Sequence, residues 1–166
     1  MDKPGRTQHP MGPVAYRVLP SRPTRARLIA AAVLLGCLAL LATAAYLVPD
    51  SAGLGTHQQL GMAPCSLVVL AGYPCPTCGM TTAFAHTVRG ELLSAFRAHP
   101  AGFIMALATV ATAAVSASVL LTGRVWRVNW YRIPPSRFAL AVVLIMLAGW
   151  ACKLAVGVLS GTLPVR

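Results

Sequence analysis

Three of the five cysteines in this chain, Cys65, Cys75 and Cys78, fall in one stretch between long apolar segments. Cys75 and Cys78 are separated by Pro76 and Thr77 and followed by Gly79. A pair at this spacing can cycle between dithiol and disulfide, with Cys75 as attacking thiolate, Cys78 as resolving thiol and Cys65 as relay. The same three sulfurs offer most of a tetrahedral zinc site, with a histidine as fourth ligand. A third reading is structural: Cys65 pairs with Cys75 or Cys78 in a static bridge, or Gly79 lets a helix start pack closely. Covalent haem attachment is excluded, because that motif needs a histidine where Gly79 stands. Cys37 and Cys152 lie in apolar segments and read as small hydrophobic packers.

The redox and metal readings depend on the element that follows the turn. Met80, Phe84 and Val88 recur at i, i+4, i+8, with Thr82, His86 and Arg89 on the other side, which predicts an amphipathic helix on the membrane surface or against a bundle. Cys75 and Cys78 would then sit at its N-terminus, where unpaired amides and the helix dipole favour a thiolate at Cys75. His86 lies eight residues past Cys78, about 12 Å along a helix axis, too far to share an ion with the turn. His57 and His99 are the remaining candidates for a fourth ligand. His86 reads as solvated or facing headgroups, and a proton relay there lacks an adjacent carboxylate. Gly90 breaks the helix, a second short helix runs from Glu91 toward His99, and Pro100 suits the first turn of the next element.

These elements need lipid around them. The chain is 57% hydrophobic and only 10% charged, too apolar for an ordinary water-soluble domain. Residues 28–48, 101–122 and 138–160 are long enough to cross a hydrocarbon core as helices, about 20 residues being needed. The expected fold is all-α: an integral membrane protein with three transmembrane helices and a short amphipathic segment in the outer loop. The first span is too long for a cleavable signal core and reads as an anchor. Residues 1–27, with five prolines, read as a disordered basic tail; 49–100 is the long loop, 123–137 a short loop with Trp126, Trp130 and Tyr131 as interfacial anchors, and 161–166 a tail. Ser136 is the expected N-cap of the third span. Residues 62–73 are apolar but too short to cross, as in a re-entrant or interfacial segment.

A net charge of +11 invites a nucleic-acid reading, which the placement of the charges argues against. Six basic residues precede the first span (Lys3, Arg6, Arg17, Arg22, Arg25, Arg27) and four fill the short loop (Arg124, Arg127, Arg132, Arg137). The long loop and C-terminus carry only Arg89, Arg97 and Arg166. The positive-inside rule therefore expects the N-terminus in the cytoplasm and the cysteines on the oxidising outer side. The partners expected are the lipid bilayer and an extracytoplasmic protein, with no nucleic acid. Lys153, inside the third span, either snorkels to the interface or points into the bundle toward Glu91 or Asp50. Gly149, Gly157 and Gly161 share its face, and Ala108, Thr112 and Ser116 form a small-residue stripe on the second span for the third to pack on.

The run Gly72, Tyr73, Pro74, Cys75, Pro76, Thr77, Cys78, Gly79, Met80, Thr81, Ala83, with Cys65 ten residues before Cys75, resembles the signature of bacterial membrane proteins grouped as domain of unknown function 2752. Arg89, Gly90, Glu91 and Leu92 resemble its downstream turn, and the likeness extends from Cys65 through the second span. Two positions depart from the pattern: Thr82 replaces the usual arginine and His99 the usual asparagine. The resemblance implies a three-span bundle in a bacterial inner membrane, with the cysteine turn near one face, and it implies no activity. A non-catalytic membrane subunit with a cysteine-stabilised outer loop is the leading reading. A thiol-disulfide oxidoreductase using Cys75 and Cys78 is the alternative, and a zinc site of Cys65, Cys75 and Cys78 the second; no other cofactor is expected.

Overall fold

The computed structural model describes residues 15–20, 23–50, 53, 55–128, 135–161 and 163. In chain order the elements are β1 (Ala15–Val18), α1 (Pro23–Tyr46), a 3₁₀ turn (Thr56–Leu60), α2 (Ser66–Ala71), α3 (Met80–Val88), α4 (Leu92–Ala98), α5 (Pro100–Thr122), β2 (Val125–Val128) and α6 (Pro135–Leu159). The helices α1, α5 and α6 are each long and apolar enough to cross a membrane. They are rich in alanine and leucine, which form helix at little cost, and their outward side chains stay apolar because lipid rather than water surrounds them.

The short helices sit where the spans leave irregular backbone. Pro100 opens α5, and His99 caps it: Nδ1 of His99 accepts from the Gly102 amide at 2.9 Å. Ser136, expected as a cap, instead lies within the first turn of α6, which begins at Pro135, a residue suited to the start of a helix.

The amphipathic helix is α3, and it is packed inside rather than laid on a surface. Thr82, Ala83, Phe84, Ala85 and Thr87 are all buried, so its apolar side is enclosed together with Thr82 of the polar side, while His86 is half-buried and Arg89 exposed. Phe84 packs with Ala44 of α1 and Ala106 of α5, flanked by Met80 and Val88. A Cβ on Gly102 would lie 3.1 Å from Ala83 Cβ and from Met80 Cα, so glycine sets the close approach of α5 to α3. Thr82 meets Thr56 of the 3₁₀ turn through a 2.8 Å hydroxyl pair, and Thr56 Oγ1 also accepts from the Asp50 amide. The pair is neutral and enclosed.

Gly90 ends α3, as expected, in a left-handed conformation (φ 78°). Its amide returns to Thr87 O and that of Glu91 to His86 O, the bond pattern of a Schellman turn. The turn brings Glu91 onto His86, supplying the carboxylate that the helical wheel alone does not place there. It also aims Arg89 at the open end of α1. The guanidinium donates to Ala44 O, Ala45 O and Leu47 O, and to Ala85 O within its own helix. The last carbonyls of α1 have no intrahelical partner, and a fork of donors at the negative end of the helix satisfies several at once.

Small residues do mark the helix contacts of α5, but of the expected stripe Ser116 alone is among them. Ala106, Ala113, Ser116 and Val119 are buried, whereas Ala108 and Thr112 are exposed. The reason is that α1, not α6, is the principal neighbour of α5. The helix α6 is nearly bare along its span and approaches mainly through Gly149, which sits on the ring of Pro100. The apolar segment around α2 is peripheral, with Leu67, Val69 and Leu70 exposed, in keeping with an interfacial position. A two-stranded antiparallel ribbon joins β1 to β2, pairing Ala15 with Val128 and Val18 with Val125. This corrects the disordered tail at residues 15–18 and the plain loop at 125–128, since each short strand takes its partner from the far end of the chain. Residues 23–27, also assigned to the tail, form the first turn of α1. The side chain of Trp126, and all of Trp130 and Tyr131, lie outside the described residues.

Arg89→Ala is expected to destabilise the protein by about 2 kcal/mol, hydrogen bonds to charged groups being worth roughly 1.5–3 kcal/mol. Arg89→Lys should recover only part, because an ammonium cannot bridge several carbonyls with a planar fork. Thermal unfolding in detergent measures both, and an alanine variant melting with the wild type would refute the clamp.

Candidate thiol site

The residues from Cys75 to Cys78 form a tight turn, closed by the Cys78 amide donating to Cys75 O at 3.0 Å, with Pro76 in its second position. This puts the two side chains on one side, with 3.2 Å between their sulfurs. The Cys75 sulfur also lies 3.2 Å from Thr77 Oγ1. Cys65, at the N-cap position of α2, completes a triangle in which all three sulfurs lie within 4.8 Å of one another. All five cysteines are free thiols, so the expected bridge is not closed here. Cys37 and Cys152 take no part in this cluster.

The turn is held by donors from elsewhere. Trp150 Nε1 of α6 donates to Pro74 O at 2.7 Å, and His99 Nε2 donates to Pro76 O at 2.8 Å. Since His99 Nδ1 accepts from Gly102, the ring hydrogen sits on Nε2, and both nitrogens are in use. Gly79, at φ 95°, has no room for a side chain: a Cβ would lie 2.7 Å from Ala98 O and 2.9 Å from Gly53 O. Lys153 reaches into the same crevice and donates to Ala98 O (3.2 Å) and Gly53 O (3.4 Å). The lysine therefore points into the bundle and serves backbone carbonyls, while Glu91, one of its two expected partners, is taken by His86.

The helix-start effect falls on a different cysteine from the one expected. The N-cap of α3 is Gly79, so Cys75 is not at its terminus. The thiol that meets free helical amides is Cys65, whose sulfur receives the Val68 N–H. That bond, with smaller help from the Cys78 and Cys75 thiols and opposed by burial, brings Cys65 down to about 7. Cys78 is buried, and burial together with its two sulfur neighbours pushes it up to about 12. As the pH rises, ionisation of Cys65 therefore precedes that of Cys78.

The fit to a metal is incomplete. Three sulfurs converge, and among the described residues no histidine or carboxylate joins them. His99 has both nitrogens engaged, and His57 places Nε2 on Ala63 O. His86 stands at the opposite end of α3 from the turn. Two cavities flank the cysteines, of 670 and 620 Å³. Cys75 and Cys78 line both, while Cys65 lines only the second. The first also holds Lys153 and Arg97.

Residues 65–113 match the family model described as a protein of unknown function, DUF2752. The resemblance read from the cysteine signature is thus borne out over that segment. It begins at Cys65 and ends within α5, enclosing the turn, its capping His99 and the whole of α3. No curated protein and no solved structure matches the chain.

Trp150 is the site residue that the sequence gives no sign of. It reads as one more apolar residue of a span, and its partner lies 76 positions away. The direct check on the electrostatics is alkylation as a function of pH. Cys65 should react with a midpoint at about pH 7, well below the 9.0 of an ordinary thiol, and Cys78 should react last, since the thiolate is the reactive form. A Cys65 rate that climbs only near the ordinary value would contradict the assignment.

Proposed function

We propose that this protein is a membrane-anchored thiol-disulfide exchange protein acting on the thiols of an extracytoplasmic partner through Cys65 and Cys75. The observation that carries this reading is the sulfur triangle with one thiol lowered to about 7 and another raised to about 12. A static bridge needs two sulfurs. A third within reach, held as thiolate, would keep attacking it.

The exchange runs as follows. A thiolate of the partner attacks Cys75 in a Cys65–Cys75 disulfide, and Cys65 leaves as the thiolate, its low pKa making it the better leaving group. The partner's second thiol then attacks the partner sulfur of the mixed disulfide and releases Cys75. The partner has lost two electrons and two protons. One proton ends on Cys75 and the other passes to solvent, because Cys65 stays a thiolate. Cys78, buried and reluctant to ionise, serves as a hydrogen-bonding thiol that steadies the charge on Cys65. This differs from a simple Cys75–Cys78 couple, which would require Cys78 to leave as a thiolate. The excess of basic residues before the first span and in the short loop supports a site outside the cytoplasm, where disulfides persist.

The test is disulfide mapping of the purified protein equilibrated in glutathione buffers. The expected product is a Cys65–Cys75 bridge in exchange with the buffer, abolished by Cys65→Ser. Cys78→Ala should retain the bridge but shift the pH midpoint of exchange upward. A bridge between Cys75 and Cys78 that ignores glutathione, with Cys65→Ser behaving as wild type, would favour the scaffold reading. Stoichiometric zinc on protein isolated from membranes would displace both.

A further inference from the structure

We propose that the 620 Å³ cavity binds a membrane quinone, which reoxidises Cys65 and Cys75. This rests on the exchange reading above, because a dithiol produced by oxidising a partner must pass two electrons onward. The cavity lies between two spans and the loop, with Leu40 and Thr43 of α1, Leu47 just beyond its end, Met105 of α5 and Met62 in its wall. Leu40, Thr43 and Met105 are exposed on spanning helices, so the cavity is reached from hydrocarbon. Its size suits a ring with a short length of tail, sites for small organic ligands running to about 300–1,000 Å³.

Charge separates the two cavities. Among the described residues no lysine, arginine or carboxylate lines this one, His57 being its one basic side chain, whereas the other carries Lys153 and Arg97. A neutral ligand therefore belongs beside Cys65, and an anionic one would belong on the far side of the cysteines. A quinone is neutral, dissolves in the bilayer, and accepts two electrons and two protons, which is the requirement of a dithiol. A water-soluble acceptor would gain nothing from an apolar wall between spans.

The step balances. The Cys65 thiolate adds to a ring carbon of the quinone, forming a C–S bond, and the ring takes up a proton from solvent. Cys75 then attacks the Cys65 sulfur. The S–S bond forms, the C–S bond breaks with its electron pair going to the ring, and the Cys75 proton completes the hydroquinone. The Cys65–Cys75 disulfide is regenerated. The two cavities share the wall containing Cys75, so the partner thiol and the quinone can approach the same disulfide from opposite sides.

The experiment uses the full-length reduced protein in detergent, without oxygen, mixed with a short-tailed benzoquinone. One hydroquinone and one Cys65–Cys75 bridge per protein are expected. Thr43→Trp, which fills the wall, should slow the reaction about tenfold, while Leu38→Trp, on the same helix but outside the cavity, should not. Should the Thr43 variant fail to accumulate, a photoreactive azidoquinone on the wild type should label residues 40–47 or Met62 and Met105. Labelling confined to α6, or no hydroquinone from a protein that does exchange with oxidised glutathione, would overturn the quinone site alone. Failure with both oxidants would remove the exchange reading as well.

Discussion

Backbone carbonyls left open at helix ends and in the cysteine turn are the constraint around which this protein is organised. Three helices long enough to cross a membrane enclose a stretch of irregular chain, and each carbonyl that leaves a helix there must find a donor inside the protein. Side chains supply many of them. Arg89 takes the end of α1, Trp150 and His99 take the two prolines of the cysteine turn, and Lys153 takes the end of α4 and Gly53. Remove these donors and the turn has no fixed position, so the sulfur triangle depends on groups that carry no sulfur chemistry themselves.

The same constraint explains the placement of the cationic residues. Lys153 and Arg89 are a charged residue in a span and one in a loop, and both end at carbonyl oxygens. Each head group carries several donors, so one residue can satisfy more than one orphan acceptor. Gly79 completes the arrangement by leaving room for the Ala98 and Gly53 carbonyls where any side chain would intrude. Its neighbour Cys78 is consequently enclosed, which is why its thiol resists ionisation while Cys65, at an open helix start, does not.

Much of the fold was legible because it follows from local pattern. Length and hydropathy marked the three spans, Gly90 the end of α3, and Pro100 the start of α5, each a signal carried by a few adjacent residues. What stayed hidden was set by distance along the chain. The ribbon of Ala15–Val18 with Val125–Val128 and the bond from Trp150 to Pro74 join segments with no local sign of each other. Helical period also could not tell a surface helix from an enclosed one: Thr82 sits on the polar side of α3, yet is buried and pairs with Thr56. The assignment of the activated thiol went astray for a related reason. The six residues of α2 read as an apolar segment, so nothing in the sequence set Cys65 at a helix start.

The convergence of Cys65 on the pair Cys75 and Cys78 is the claim on which both the exchange and the quinone site stand. Arsenite tests it directly, since one arsenic(III) binds three thiolates only when all three sulfurs can meet around it. One equivalent added to the reduced protein should protect Cys65, Cys75 and Cys78 together from alkylation. If Cys75 and Cys78 are protected while Cys65 remains fully reactive, the triangle does not exist in solution and the account fails with it.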